Sequence, residues 1–287
     1  MGYGKCSLEN MEINSSFWNG RSVFLTGHTG FKGGWIAVWL TAMGAKVHGY
    51  SLSVKNKPNF FTVTNLKDKL TSSTIANIKN YSSLKSAILF AKPSVIIHMA
   101  AQSLVRKSYI KPIETFKTNI LGTANLLEAA RKIDSVEAIV NITTDKCYEN
   151  IEQLKPYVES DKLGGHDPYS SSKACVELIS TAYRNSFLKD SKIKLATVRA
   201  GNVIGGGDWA SDRLIPDFFR SIDADKKLLI RFPNAVRPWQ HVLEPLSGYL
   251  LLAEKLVTSG NSFAEAWNFG PKKNDIKTVS WIVNYLY

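Results

Sequence analysis

From Arg21 onward, short runs of β-branched and apolar residues alternate with longer stretches whose apolar positions recur at helical spacing. That is the rhythm of βαβ units on a parallel sheet. Residues 22–26 read as a first strand, 33–43 as a first helix and 46–50 as a second strand. Residues 94–99 form a later buried strand, followed by a helix over about 112–133, and 138–142 is a strand that ends at Thr143. A helix over 170–188 and a strand over 194–199 continue the series. Beyond Gly205, Gly206 and Gly207 the rhythm loosens, broken by Pro216, Pro233, Pro238 and Pro245. The expected fold is α/β: a Rossmann-type doubly wound parallel sheet over residues 17–200, then a smaller C-terminal substrate lobe over 201–287, interleaved with the sheet. An amphipathic run from Thr278 reaches the last residue, Tyr287, and reads as a helix cut short; Met11, just ahead of Phe17, fits a translation start.

Composition narrows the class. At 287 residues, 44% hydrophobic and 21% charged, the chain is of ordinary globular type. The weakly polar stretch 33–45 is shorter than the ~20 residues that cross a bilayer. Residues 1–10 lack the apolar core of a signal peptide, so a cytoplasmic protein is expected. Cys6, Cys147 and Cys175 have no metal-ligand spacing and leave an odd thiol, which argues against a metal site and against a disulfide framework. A net charge of +12 raises the question of nucleic acid, yet the lysines (Lys67, Lys69, Lys79, Lys85, Lys92) are scattered as on solvated helix faces rather than gathered in a stripe.

Candidate chemistry gathers at three places. Gly27, Gly30 and Gly33 stand between the first strand and first helix, where a dinucleotide pyrophosphate needs close backbone approach and the positive end of a helix dipole. The acidic residue that would grip the adenosine ribose is absent after the second strand; Lys55 and Lys57 follow instead. A lysine there accepts a ribose phosphate or faces water, so chemistry alone leaves NAD and NADP open. Tyr169 and Lys173 are four apart on a helix and share a face. With Lys173 lowering its pKa, Tyr169 takes the proton of a substrate alcohol, Lys173 holds the cofactor ribose, and Thr144 bonds the same alcohol. Asp145 and Lys146 follow at the carboxyl end of a strand, where α/β sheets place ligands. Simple alcohol oxidation has no use for them. A ketone formed by oxidation acidifies the neighbouring carbon, so a base can remove that proton while an acid protonates a hydroxyl leaving one carbon further on.

Together, GHTGFKG at 27–33, AAQSLV at 100–105, TDKCY at 144–148, GGHDPYSSSK at 164–173, GNVIGGGDW at 201–209 and RPWQHV at 237–242 resemble the nucleotide-sugar dehydratase branch of the extended short-chain dehydrogenase/reductase family. The resemblance implies an NAD-dependent hydro-lyase: C4 of a nucleotide-linked glucose is oxidised, water is lost across C5 and C6, and the hydride returns to C6. It implies cofactor contacts at Gly27, His28, Gly30, Phe31, Lys32, Gly33, Ala100, Ala101, Tyr169 and Lys173. Asp145 becomes the acid. Lys146 takes the C5 proton in place of the glutamate of dTDP-sugar relatives, which favours a CDP-linked substrate. Gln102, Ser103, Asn202, Arg231, Arg237 and His241 are implied on the substrate side, with both arginines as pyrophosphate ligands. Asn77 stands where relatives place an aspartate near the adenine. Relatives continue well beyond the equivalent of Tyr287, so an incomplete lobe is expected. A homodimer through the helices of 112–133 and 170–188 is implied, as is a product for deoxysugar and surface-polysaccharide synthesis. Alternatives are a nucleotide-sugar 4-epimerase, or an NAD-binding fragment without catalysis.

Overall fold

Alternation along the strands sets the layers. Val23 and Leu25 face one side of the sheet and Phe24 the other; Val95 and Ile97 oppose Ile96, and Ala196 and Val198 oppose Leu195, so each strand feeds two apolar cores. The computed structural model describes residues 8, 12–54, 57–151, 155–272 and 275–287. Cys6, Met11 and Lys55 lie outside the described residues.

Seven parallel strands build the main sheet: β1 (Ser22–Thr26), β2 (Lys46–Ser51), β3 (Ser72–Ile75), β4 (Val95–His98), β5 (Ala138–Ile142), β6 (Lys194–Ala200) and β7 (Ala266–Phe269). Their spatial order is β7-β6-β5-β4-β1-β2-β3. Every pairing is parallel. This is a Rossmann-type doubly wound sheet whose order reverses between β1 and β4, the crevice where such sheets bind ligands.

Helix α1 (Phe31–Ala42) covers one face through Ile36, Ala37 and Leu40, together with α7 (Leu243–Thr258). On the other face, α2 (Tyr81–Ala91) and α4 (Gly122–Ala130) bring Leu84, Ile88, Leu126 and Leu127 against Phe24, Ile96 and Ile139. The helix expected over 112–133 is three pieces: α3 (Pro112–Phe116), a π turn (Lys117–Leu121) and α4. Helix α5 (Pro168–Ser186) starts at Asp167, whose Oδ1 accepts the Tyr169 and Ser170 amides at 2.9 and 3.0 Å, with Pro168 in the first turn.

The last third divides its residues. Helix α7 and strand β7 return to the main sheet, whereas α6 (Leu214–Asp223) and α8 (Val279–Leu286) close a separate small cluster around Phe218, Trp239, Ile282 and Val283. No helix among the described residues is long and apolar enough to cross a membrane.

Candidate active site

The turn after β1 is held open by backbone, not side chains. Gly27 has φ +80°, and a Cβ on it would lie 3.0 Å from the Ala100 nitrogen; a Cβ on Gly33 would sit 2.1 Å from the Gly27 carbonyl oxygen. Thr26 Oγ1 fixes the neighbouring loop by accepting the Met99 and Ala100 amides at 3.1 and 3.0 Å and pairing with His98 Nδ1 at 2.7 Å. No side chain caps the N-terminus of α1, so its first-turn amides remain for an anion. Gly27, Gly30, Phe31, Lys32, Gly33, Ala100, Ala101 and Ser103 all line one cleft of about 1380 Å³. That is ample for two nucleotide-sized ligands, drug-sized sites running to ~1,000 Å³.

Two expected contacts turn away from it. His28 is fully buried: Nε2 bonds Ser73 Oγ at 2.8 Å, the ring packs edge-on to Phe61, and burial pushes its pKa down to about 4. Gln102 donates to the Leu104 carbonyl and Thr115 Oγ1, both at 3.0 Å, and accepts the Leu104 amide at 2.8 Å. These bonds pin the Ala100–Ser103 loop and leave that side chain out of the cleft. Lys32, expected as a cofactor contact, lines the cleft, and its Nζ donates to the Tyr249 hydroxyl at 3.0 Å. Burial, then the charges of Lys173 and Arg213, push Lys32 down to about 7.

The chemistry-bearing residues meet at the carboxyl end of β5. The strand ends at Ile142, and Thr144 caps a single tight turn over Asp145–Cys147. Thr144 Oγ1 donates to Asp145 Oδ1 at 3.0 Å, and Lys146 Nζ donates to the same oxygen at 3.1 Å. Tyr169 lies buried beside them; burial raises its pKa to about 12, opposed by the neighbouring Thr144 side chain and the Arg213 charge. Lys173 Nζ donates to the Ile142 carbonyl at 2.9 Å, and burial lowers it to about 8, with Glu177 opposing. The cation acting on Tyr169 in this structure is Arg213; Lys173, expected to lower the Tyr169 pKa, donates its ammonium to a backbone carbonyl.

On the opposite wall, Asn202, Arg231, Arg237 and His241 line the same cleft. Asn202 Oδ1 is buried with no hydrogen-bond partner, an acceptor waiting for a donor. Among the described residues neither Arg231 nor Arg237 makes an ion pair, and Arg237 Nη1 rests on the Val236 carbonyl at 2.8 Å. Asn77, Ser51 and Leu52 line the far end.

Several residues escaped the sequence reading. Arg213, paired with the largely buried Asp208 at 2.7 Å, carries a cation to Tyr169 from the head of α6. Asn119, in the π turn, accepts the Gln102 amide at 2.8 Å and donates to Ser172 Oγ at 2.8 Å, tying the cofactor loop to α5. Glu177, one turn beyond Lys173, accepts from Thr143, Thr197 and Arg199. Glu177 alone had a signal, since it shares the Lys173 face at a spacing of four. No group of three or more potential metal ligands occurs among the described residues.

Known proteins share this architecture. The profile of the GDP-mannose 4,6 dehydratase family matches residues 24–265. The CDP-glucose 4,6-dehydratase of Salmonella typhimurium is 52% identical over 277 residues, covering 95% of this chain and 77% of that one. Among solved structures, a dTDP-glucose 4,6-dehydratase from Streptomyces venezuelae with NAD bound superposes with a TM-score of 0.78 at 23% identity, covering 92% of this chain and 79% of that one. A UDP-glucose 4-epimerase from Thermotoga maritima gives 0.77 at 21% identity, with 92% and 81% covered.

Proposed function

This chain belongs to the GDP-mannose 4,6 dehydratase family, and we propose that it is an NAD-dependent hydro-lyase converting CDP-D-glucose to CDP-4-dehydro-6-deoxy-D-glucose. The observation that carries this reading is Asp145 and Lys146, 3.1 Å apart at the end of β5, beside the Thr144, Tyr169 and Lys173 of an alcohol-oxidation site.

The residues fit the cofactor. A dinucleotide pyrophosphate needs the uncapped α1 amides and the space that a Cβ at Gly27 or Gly33 would fill. Held there, NAD would supply the oxidising power for C4 and a hydride for C6. Tyr169 removes the C4 hydroxyl proton, with Arg213 and Lys173 as the nearby cations. Lys146 takes the proton from C5, and Asp145 is the acid for the hydroxyl leaving C6. Groups of this kind typically contribute ~10²- to 10⁴-fold each. Arg231 and Arg237, exposed on the cleft wall, suit the pyrophosphate of the substrate because a guanidinium fork matches two phosphate oxygens. Asn202 supplies its unpartnered acceptor on the same side.

Incubation with CDP-glucose and NAD tests the assignment. A 4-keto-6-deoxy product supports it. Unchanged substrate, or the C4 epimer, which needs neither Asp145 nor Lys146, refutes it.

We also propose a homodimer. Tyr109, Ile110, Ile113 and Leu178 are each more than half exposed, on the helix Val105–Ile110, on α3 and on α5. Apolar side chains gathered on adjoining helices are the usual mark of an interface. A monomeric mass in solution would reject it.

A further inference from the structure

The turn from Thr144 to Cys147, which carries Asp145 and Lys146, is held only loosely by its own bonds. Within it, the Cys147 amide reaches the Thr144 carbonyl at 3.3 Å and the Lys146 amide reaches Thr144 Oγ1 at 3.4 Å, both longer than an ordinary N–H···O bond. Its two flanks, by contrast, end on one buried ion pair. At the entry, Thr143 Oγ1 donates to Glu177 Oε1. At the exit, the hydroxyl of the buried Tyr148 accepts from Arg199 Nη1 at 2.7 Å and donates to Asn268 Oδ1 at 2.6 Å. Glu177 and Arg199 join the two flanks at 2.8 Å. Asn268 on β7 is the register partner of Arg199 on β6, so the exit anchor is seated on the main sheet. Tyr148 itself is not among the residues that line the cleft; its ring stacks on Tyr157 at 5.0 Å.

Resting on the dehydratase reading above, we propose that Tyr148 is a positioning residue for the elimination step: anchored by Arg199 and Asn268, it fixes where Asp145 and Lys146 stand against the oxidised sugar. The oxidation residues do not depend on this anchor. Tyr169 and Lys173 are carried by α5, and Lys173 Nζ is tied to the Ile142 carbonyl at 2.9 Å, ahead of the turn. Asp145 and Lys146 lie between the two flanks. Among the described residues their side chains bond only each other and the Thr144 hydroxyl, so nothing but the turn itself sets their place. A reacting group displaced by about 1 Å can lose on the order of a hundredfold in rate. Loosening the exit, two residues from Lys146, therefore slows loss of water and spares the hydride transfer that precedes it.

The test is Tyr148→Phe in the full chain loaded with NAD, which keeps the ring and removes the one hydroxyl that Arg199 and Asn268 share. Reduced cofactor formed from CDP-glucose is followed by its near-ultraviolet absorbance in a single turnover, and the 4-keto-6-deoxy product is quantified in parallel. The expected result is hydride transfer within about twofold of wild type and product formation about tenfold slower, so that reduced cofactor accumulates. Asn268→Ala removes the acceptor but leaves the Arg199 bond; it shows the same split to a smaller degree, about threefold, and serves as the test if Tyr148→Phe does not fold. The double variant loses no more than Tyr148→Phe alone, because both act through one hydroxyl. Hydride transfer slowed as much as product formation, no slowing of either step, or losses that multiply in the double variant would overturn the positioning role and leave Tyr148 as a packing residue. Wild-type protein that forms no 4-keto-6-deoxy product would instead refute the dehydratase reading itself.

Discussion

Two carboxylate–cation pairs sit at the carboxyl end of the same sheet and behave in opposite ways. Glu177 and Arg199 meet at 2.8 Å with side chains 1% and 4% exposed; Asp145 and Lys146 meet at 3.1 Å with side chains 35% and 42% exposed. The buried pair is densely bonded, with only the Arg199 Nε left without a partner among its buried polar atoms. Glu177 also accepts from Thr143 and Thr197, and Arg199 also reaches the Tyr148 hydroxyl at 2.7 Å and the Glu159 carbonyl at 3.0 Å. Burial opposes the Arg199 charge, but its bond and charge pairing with Glu177 outweigh this and the guanidinium pKa is raised. Such a pair has no proton to trade. Asp145 and Lys146 directly follow Thr144, both partly exposed and Lys146 lining the cleft; with few partners they can exchange protons with a substrate. Similar residue types separate into framework and chemistry by burial and by the number of bonds each group makes.

The largest effect should follow from breaking the buried pair. Glu177→Ala leaves the Arg199 cation buried without its partner, and denaturant unfolding should show a loss of about 3–5 kcal/mol. Asp145→Asn is the converse: stability within about 1 kcal/mol of wild type, as for other exposed pairs, with product formation down about a hundredfold or more. If Asp145→Asn unfolds the protein, or Glu177→Ala leaves stability untouched, the division into framework and chemistry is wrong.

A smaller effect sharpens the same contrast through pH. His98, held between Thr26 and Thr123, is pushed by burial to about 3, and His28 to about 4. The unfolded imidazoles take a proton near ~6.5, so the folded state binds fewer protons below that point. The stability these two groups contribute is complete above about 6.5. It is lost as pH falls from there toward 4 and then 3, by about 2 kcal/mol for each histidine between pH 7 and 5. Urea midpoints at those two pH values check it, and an unchanged midpoint would contradict the buried, neutral assignment. The smallest effect is expected for Lys146→Met, whose loss of an exposed pair should change unfolding free energy by less than about 1 kcal/mol.

Much of this framework was legible along the chain because β1, β2, β4, β5 and β6 are apolar runs of strand length feeding both cores. Strand β3 was not, since Ser72, Ser73 and Thr74 give an edge strand no hydrophobic signature. Helix α7 and strand β7 read as part of a loosened tail, yet Leu246, Leu250, Leu252 and Leu256 fill the main core. Proline spacing ahead of α7 masked its return to the sheet. Thr144, Asp145, Lys146, Tyr169 and Lys173 were found by spacing because one strand end and one helix face carry them. Arg213, Asn119 and Tyr249 come from other elements, and only chain closure brings them in. The inward turn of His28 and the loop bonds of Gln102 depend on side-chain direction, which a motif does not encode.

The central claim is that the Asp145–Lys146 pair turns alcohol oxidation at Tyr169 into elimination. The most direct measurement uses CDP-glucose deuterated at C4, with the product analysed for the position of the label. We predict a 4-keto-6-deoxy sugar carrying the C4 deuterium on its C6 methyl group. Recovery of CDP-glucose or its C4 epimer with deuterium still at C4 and none at C6 would contradict the account.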